Sequence, residues 1–204
     1  DASFSQVRRF SADASHELQT PLTILRGELE VALRSPRTSG EYESTIQSAL
    51  EEVDRITRLV DGLLILHRAE AGALRMDRRT VDLGRLLEEV YWRLKVVSDS
   101  RSIHLDLNST EGVIIQGDRE QLRRLILNLA DNAVKYTEPG GRVILSLGLD
   151  GQWAVLDVAD SGRGIPAGEL DQVFQPFYRS EEVRSVAAAG AGLGLSIARS
   201  IALA

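Results

Sequence analysis

The chain has no cysteine among its 204 residues, which excludes both a disulfide framework and a thiolate metal site. Its three histidines, His16, His67 and His104, are too scattered in the sequence to suggest a zinc cluster. No run of about 18 apolar residues is present, so we expect no membrane contact from this part of the protein. A basic run is also absent, and the net charge of −6 argues against nucleic acid as the main partner.

The composition that remains is that of an ordinary globular protein, with 43% hydrophobic and 26% charged residues. The length leaves room for one or two domains with a sizeable core. Because the sequence stops at Ala204 inside an apolar periodic segment, we expect it to be part of a longer protein.

Residues 1–75 are predicted to form a helical hairpin. Helices over residues 5–34 and 41–71 are separated by a turn cluster rich in serine, proline and glycine. Pro21 lies inside the first helix, but the leucine pattern continues beyond it, which favours a kink over an end. Two helices cannot enclose their own apolar stripes, so we predict a homodimer that buries them in a four-helix bundle. The stripes consist of Leu18, Leu22, Leu25, Leu29 and Ala32 in the first helix and of Ile46, Ala49, Val53, Ile56, Val60, Leu63 and His67 in the second. His67, at the end of its stripe, is predicted to be structural rather than chemical.

His16 is the first candidate for chemistry. It lies about 200° around the helix from Leu18 and therefore faces solvent. Glu17 is its neighbour, and Thr20 follows one turn later on the same side. A neutral imidazole is a good nucleophile when a base can take the proton from its other nitrogen. A lone histidine on a charged helix is more often part of a solvated face, so both readings stay open at this point.

A charged linker at residues 70–79 marks the predicted domain boundary, which we place between residues 75 and 76. Beyond it, helices on one face of an antiparallel sheet predict an α+β sandwich over residues 76–204. The predicted elements are a helix ending near Val97, short strands over 102–107 and 113–115, and a hairpin of strands over 142–149 and 153–158 around Asp150-Gly151.

A helix opening at Asp118, with Gln121 completing a capping box, carries the second group of candidates. Asn128, Asn132 and Lys135 fall within about 60° of each other on that helix. Asparagine is a poor helix former, so two of them one turn apart need a reason. They are either core-edge amides bonded to the backbone, or amide oxygens that hold Mg²⁺ beside a lysine that attracts phosphate.

Three further segments complete a nucleotide-site pattern. Residues 160–166 follow a strand with Asp160, whose carboxylate can accept the amino hydrogen of adenine, and with glycines that let the backbone approach the base. Residues 173–179 supply aromatic side chains and a cation, and residues 180–189 have the composition of a mobile lid. Residues 190–195 are glycine-rich and open a helix that favours phosphate. There is no Gly-Lys-Ser/Thr sequence of a P-loop, and Leu195 replaces the last glycine of a dinucleotide fingerprint.

Together these segments resemble the H, N, G1, F and G2 boxes of HisKA-type sensor histidine kinases, in the family's order and over nearly the whole chain. The resemblance implies a dimeric helical hairpin followed by an α+β sandwich of the GHKL or Bergerat type. It makes His16 the phospho-acceptor and Glu17 its acid/base partner, while Thr20 positions the water that removes phosphate from the regulator. The implied Mg²⁺ ligands are Asn132 and, assisting, Asn128. The other implied ATP-binding residues are Lys135, Tyr136, Asp160, Gly162, Gly164, Phe177, Arg179, Gly190, Gly192, Leu193 and Gly194.

The function implied by this resemblance is autophosphorylation of His16 from Mg-ATP and transfer to an aspartate in the receiver domain of a response regulator, with phosphatase activity toward that regulator. The full-length protein is then expected to be membrane-anchored at an inner membrane, with this part on the cytoplasmic side. The chain departs from the family pattern at Gln19, where Arg or Lys is usual, and at Ala191, where a hydroxyl residue is usual. It also ends before the last strands of the usual sandwich.

Three other readings remain. Gyrase-like ATP hydrolases share the nucleotide helix but carry a glutamate base four residues before the metal-binding asparagine. Asn128 stands at that position here and cannot act as a base, so transfer to water should be slow. A non-catalytic docking module with a vestigial site is disfavoured by the intact Asn132, Asp160 and glycines. A core that acts chiefly as a phosphatase is the third reading.

Overall fold

A computed structural model of the chain describes residues 2–180 and 190–204. The chain begins with two long helices, α1 at Ala2–Arg34 and α2 at Ser39–Glu70, which pack against each other as the predicted hairpin. The start of α2 is capped by Thr38, whose hydroxyl accepts a hydrogen bond from the Glu41 N–H while the Glu41 carboxylate accepts one from the Thr38 N–H. Helix α1 continues through Pro21, as the leucine pattern predicts.

The hairpin leaves much apolar surface uncovered. Ala32 is buried, whereas Leu22, Ile46 and Leu50 are exposed by 50%, 57% and 54%. This excess of exposed apolar side chains is what the predicted pairing of two copies would bury. None of the described helices has the length and apolar content needed to cross a bilayer.

The rest of the chain forms an α+β domain, and this part of the predicted fold class is confirmed. A connection without regular structure, residues 71–78, precedes it, and the boundary between residues 75 and 76 stays a prediction. The elements of the domain are β1 at Arg79–Asp82, α3 at Leu83–Ser100, β2 at His104–Ser109, β3 at Ile114–Gly117, α4 at Arg119–Tyr136, β4 at Arg142–Asp150, β5 at Trp153–Asp160, a 3-10 turn at Ala167–Glu169 and α5 at Gly194–Ala202.

The sheet topology differs from the prediction in one respect. Strands β4 and β5 form the predicted antiparallel hairpin, with Gly151 at φ +60° in its turn. Strand β2, however, pairs in parallel with β4, so the three-stranded sheet β2-β4-β5 is mixed. The prediction of a purely antiparallel sheet is wrong because α4 lies between β2 and β4 and returns the chain to its starting end. Strands β1 and β3 form a separate antiparallel pair.

Helices α3 and α4 cover one face of this sheet. Leu87, Ala130, Val143 and Leu145 are fully buried at their contact, which is the core of the α+β domain. Side chains at β4 alternate between buried and half-buried, as expected for a strand with only one face on the core.

The predicted capping box at the start of α4 is also wrong in part. Asp118 does accept hydrogen bonds from the N–H groups of Glu120 and Gln121. The side-chain oxygen of Gln121, which should accept in return, has no hydrogen-bond partner among the described residues. The second carboxylate oxygen of Asp118 instead accepts a bond from the Asp77 N–H, so this cap ties the connecting segment to α4.

A second apolar cluster joins the hairpin to the α+β domain. We call it the interdomain core; its buried members are Leu59, Ile65 and Leu66 of α2 and Leu193, Ile197 and Ile201 at α5. Gly62 permits the close approach, since a Cβ at this position would lie 2.9 Å from Ile197 Cδ1. An ion pair of 3.6 Å between Asp61 and Arg124 flanks the contact. The α+β domain therefore packs directly on the C-terminal half of α2.

Candidate active site

A cleft of about 780 Å³, which we call the central cleft, lies between α4, the end of β5, the segments around residues 164–180 and 190–195, and α2. It contains most of the residues that the sequence predicts to bind ATP. Those in its lining are Asn128, Asn132, Lys135, Tyr136, Asp160, Gly164, Arg179, Gly190, Gly192, Leu193 and Gly194.

The two asparagines of α4 face the start of α5. A Cβ on Gly194 would lie 3.4 Å from Asn128 Oδ1 and 3.5 Å from Asn132 Nδ2, so both amides lie directly beside the start of α5. Within the described part of the chain neither side chain makes a hydrogen bond, to the backbone or otherwise. No backbone bond among the described residues accounts for these amides, and their role as metal ligands stays a prediction.

The oxygens of these two amides are hard donors of the kind that a hard cation accepts. The described residues contain no cluster of three or more histidine, aspartate or glutamate side chains that would hold a metal alone. Mg²⁺ binds through few protein oxygens together with water and phosphate oxygens. A magnesium ion here would thus depend on the side-chain oxygens of Asn132 and Asn128 and on the phosphates that accompany it.

Positive charge collects at one end of the central cleft. Lys135 Nζ would lie 3.5 Å from a Cβ on Gly190, which places the ammonium group beside the glycine segment. Burial lowers the pKa of Lys135, and the charges of Arg179, Arg55 and Arg101 lower it further, against the opposing effect of Asp131. Lys135 has no ion pair to a carboxylate among the described residues, so its ammonium group is placed to meet a polyanion.

The other end of the cleft is built around Asp160. The Gly162 N–H donates to Asp160 Oδ1 at 2.9 Å, and a Cβ at Gly162 would lie only 2.5 Å from the Tyr136 carbonyl oxygen. Gly162 is not in the lining itself but holds Asp160 and Tyr136 in place. Gly164 follows at φ +71°, a conformation that favours glycine. Because the glycines have no side chains, there is room for a planar ring beside the Asp160 carboxylate.

The glycine segment contacts the aromatic segment before it. Gly192 has φ +72°, and a Cβ there would lie 2.8 Å from the Tyr178 carbonyl oxygen. The Phe177 N–H donates to the Gly192 carbonyl at 3.0 Å. Helix α5 then begins at Gly194 without a side-chain cap, so its first N–H groups have no capping partner within the described residues.

Phe177 differs from its predicted place in the ATP site. Its side chain is not part of the lining of the central cleft; the ring lies 5.5 Å from the ring of Phe10 in α1 and packs against the interdomain core. The residue thus connects the glycine segment to the hairpin. Most of the lid predicted over residues 180–189 lies outside the described residues.

His16 is exposed on α1, as predicted, and Glu17 beside it is half-buried. The Thr20 hydroxyl donates to the His16 carbonyl at 3.2 Å, which orients Thr20 along the same face. None of the three belongs to the lining of the central cleft. The structure therefore keeps the candidate acceptor and the cleft on separate surfaces that are joined through Phe10 and the interdomain core.

Several cations of the cleft were not predicted as site residues. Arg55 and Arg58 enter it from α2, and Arg101 from the end of α3. Arg101 is fixed by hydrogen bonds of 3.2 Å to the carbonyl oxygens of Val134 and Lys135. In the sequence, the only signal for Arg55 and Arg58 is that they lie beside the apolar stripe of α2 rather than on it.

A helical hairpin with an exposed histidine, joined to an α+β domain of this topology, is the two-domain architecture of a histidine-kinase core. Comparison with known proteins agrees. Residues 6–72 match the family model "His Kinase A (phospho-acceptor) domain", and residues 117–204 match "Histidine kinase-, DNA gyrase B-, and HSP90-like ATPase".

Individual proteins that resemble this chain are also named as histidine kinases. The chain is 39% identical over 197 residues to the signal transduction histidine-protein kinase BaeS of Escherichia coli, covering 96% of this chain and 42% of BaeS. The structure of the histidine kinase AdeS of Acinetobacter baumannii aligns with a TM-score of 0.72 at 26% identity, over 92% of this chain and 86% of that one. The mycobacterial sensor histidine kinase MprB is 34% identical, with a TM-score of 0.52, over 62% of this chain and 78% of that one. The chain belongs to the sensor histidine kinases, and it spans less than half the length of the curated relative BaeS.

Proposed function

We propose that the chain is the catalytic core of a sensor kinase that transfers the γ-phosphoryl group of Mg-ATP to a ring nitrogen of His16 and then to an aspartate of a response regulator. What supports this above all is the pair of unbonded amides, Asn128 and Asn132, that face the glycine segment of the central cleft. An exposed histidine on a helix of the same chain supplies the acceptor.

Each end of the cleft has its own part in this proposal. Asn132, assisted by Asn128, would hold Mg²⁺, which when bound neutralises charge on the phosphate oxygens. Lys135 and Arg179 attract the phosphates, and Asp160 accepts the amino hydrogen of adenine. The other proposed ATP contacts are Tyr136, Gly162, Gly164, Gly190, Gly192, Leu193 and Gly194, and Phe177 acts through its contact with the hairpin.

The transfer step follows from the chemistry of a neutral imidazole. One ring nitrogen of His16 forms a bond to the γ-phosphorus, the bond from that phosphorus to the bridging oxygen breaks, and ADP leaves. The proton on the other ring nitrogen passes to the Glu17 carboxylate. Because His16 lies outside the cleft lining, the nitrogen and the phosphorus meet either after a shift of the α+β domain along the hairpin or by transfer between the two subunits of the predicted dimer.

The test is incubation of the dimeric protein with γ-labelled ATP and Mg²⁺. Label that is lost in acid, is stable in base and maps to the peptide containing His16 supports the kinase. Release of labelled phosphate without labelled protein supports the gyrase-like hydrolase instead. Neither label nor release, with nucleotide still bound, supports a docking module.

We further propose that two copies pair through the hairpin, since the exposed Leu22, Ile46 and Leu50 need cover. The response regulator and the phosphatase reaction come from the family resemblance, as does the expectation that the full-length protein is membrane-anchored with this part in the cytoplasm. All of these stay predictions.

Thr20→Ala should spare labelling of His16 and impair dephosphorylation of the regulator. The hydroxyl, oriented by its bond to the His16 carbonyl, positions the attacking water but does not contact the phosphate that His16 receives. Both rates are measured with purified phospho-regulator and labelled ATP. Thr23→Ala is the matched control, because Thr23 makes the same type of bond one turn later, to the Gln19 carbonyl at 2.8 Å. Equal loss of both activities in Thr20→Ala would contradict this division of roles.

Nucleotide affinity should fall as the pH rises through the alkaline range, and the fall should begin at a lower pH than for a free lysine, whose pKa is about 10.4. The pKa of Lys135 is lowered by burial, and only its charged form attracts phosphate. Bound polyphosphate raises that pKa again, so binding takes up a proton and weakens as protons become scarce. Calorimetric titration at a series of pH values measures this.

Lys135→Arg should remove this pH dependence, because a guanidinium stays charged throughout the range. Lys95→Arg is the matched control, since Lys95 and Lys135 are the chain's only lysines and Lys95 lies outside the cleft lining. An affinity that declines identically in wild type and Lys135→Arg would assign the effect to another group.

A further inference from the structure

Helix α2 presents a second stripe, distinct from the one predicted to pair two copies. Arg55, Leu59, Gly62 and Leu66 recur at steps of four, three and four, so they share one side of the helix. Arg55, Leu59 and Gly62 each precede a residue of the predicted pairing stripe by one position, which turns them about 100° away from it. Leu59 and Leu66 are buried in the interdomain core, so this side of α2 faces the α+β domain.

The close contact at Gly62 determines how near α2 comes to the cleft. A Cβ at Gly62 would lie 2.9 Å from Ile197 Cδ1 and 3.5 Å from Leu193 Cδ1, and Leu193 itself belongs to the cleft lining. One and two turns further toward the N-terminus, the same side of α2 carries Arg58 and Arg55. Both arginines lie in the lining of the cleft that holds Asn132 and Lys135.

These arginines are poorly neutralised. Arg55 has one ion pair within the described residues, to Glu52 at 3.7 Å, and Arg58 has none there. Arg55 is near enough to Lys135 for its charge to lower the lysine's pKa. Arg101, Arg163 and Arg179 add three more cations, so six basic side chains face three carboxylates, Asp131, Asp160 and Glu169, in the cleft lining. So many like charges repel each other unless an anion lies between them.

We propose that Arg55 and Arg58 bind the polyphosphate of the nucleotide, so that the hairpin supplies one wall of the nucleotide site. This rests on the proposed function, which makes the central cleft a nucleotide site. A nucleotide held by both domains stabilises their docked arrangement, and by linkage the docked arrangement raises nucleotide affinity. Both effects are larger for ATP than for ADP, because ATP carries more negative charge into the cluster.

The first experiment measures the dissociation constants of Mg-ATP and ADP by calorimetry for the dimeric protein. Arg55→Gln and Arg58→Gln should each weaken Mg-ATP binding about fivefold to tenfold, as expected for the loss of a charge-assisted contact that is partly screened by water. The double variant should weaken it further, with a smaller loss for ADP. Circular dichroism and thermal melting verify the fold of each variant.

Arg68→Gln is the matched control, because it removes the same charge from the same helix at an exposed position outside the cleft lining. It should leave both dissociation constants within about twofold of wild type. If Arg55→Gln and Arg58→Gln bind Mg-ATP as tightly as wild type, or lose no more affinity than Arg68→Gln does, the assignment is overturned.

A second variant tests whether the arginines act through docking. Gly62→Gln places a bulky, uncharged helix former against Ile197, which should separate α2 from α5 while leaving the helix intact. In that background the two arginine substitutions should cost no further affinity. A full additional loss would overturn the coupling between docking and binding.

Failure of the proposal for Arg55 and Arg58 can be distinguished from failure of the proposed kinase function. Binding is measured without phosphoryl transfer, so unchanged affinities in the arginine variants leave labelling of His16 as it is. A protein that shows the arginine effect but never labels His16 would overturn the kinase proposal alone.

Discussion

His16→Ala is expected to abolish labelling of the protein by γ-labelled ATP, a loss of about a thousandfold or more, because no other group replaces the attacking nitrogen. The binding of Mg-ATP should be unchanged, since His16 lies outside the lining of the central cleft. The measurement is the rate of acid-labile label formation at saturating nucleotide, together with the dissociation constant.

His67→Ala is the matched control for this substitution. His67 is the other histidine of the hairpin, is exposed near the end of α2, and is predicted to be structural rather than chemical. The His67→Ala variant should acquire acid-labile label at the wild-type rate. Retention of acid-labile label in His16→Ala, or its loss in His67→Ala, would show that the acceptor has been assigned to the wrong residue.

Glu17→Gln is expected to slow labelling about 10²-fold to 10⁴-fold, the usual contribution of a positioned general base. The amide keeps the shape and most of the packing of the half-buried side chain but cannot take a proton from the imidazole. Nucleotide affinity should again be unchanged, so the loss should fall on the rate of transfer at saturating ATP.

Asp13→Asn is the control for charge on this helix. Asp13 is an exposed carboxylate one turn before Glu17, so its loss changes the charge near His16 without removing a neighbour of the ring. It should reduce labelling by less than about threefold. An undiminished rate in Glu17→Gln would remove this residue from the mechanism, and an equal decrease in both variants would reduce its role to general electrostatics.

The position of His16 outside the cleft has a mechanical consequence for both predictions. The Phe10–Phe177 contact and the interdomain core attach the α+β domain to the hairpin in the arrangement described. Movement of that domain toward His16 must exchange these contacts for others, at a cost that is the same in each variant. The substitutions at His16 and Glu17 therefore report on chemistry, while those at Arg55 and Arg58 report on the docked arrangement.

Local pattern was enough to predict both long helices and most elements of the α+β domain, but not strand β1 at Arg79–Asp82. The apolar residues of α1 and α2 recur with the period of an α-helix. The turn between the two helices contains residues that end helices. The β4–β5 hairpin was recognisable because Asp150-Gly151 sits between two alternating runs. The candidate chemistry was recognisable for a related reason: Asn128 and Asn132 are poor choices for a helix interior, and Asp160 ends a strand beside glycines.

Pairings between distant segments could not be read in the same way. The parallel pairing of β2 with β4 depends on where α4 returns the chain, and alternation along β2 is the same for a parallel or an antiparallel neighbour. The bond from the Asp77 N–H to the Asp118 carboxylate likewise joins residues distant in sequence, and no local pattern predicts it.

The sequence by itself determined the family, the two-domain order and the residue types at each end of the cleft, since these depend on composition and spacing within short segments. Only the tertiary structure decided that α2 lines the central cleft, that Phe177 packs on Phe10, and that His16 lies outside the cleft lining. The physical reason is that Arg55 and Arg58 enter the cleft lining on the side of α2 that Gly62 brings close to Ile197. That contact joins residues more than a hundred positions apart, and no local pattern encodes it.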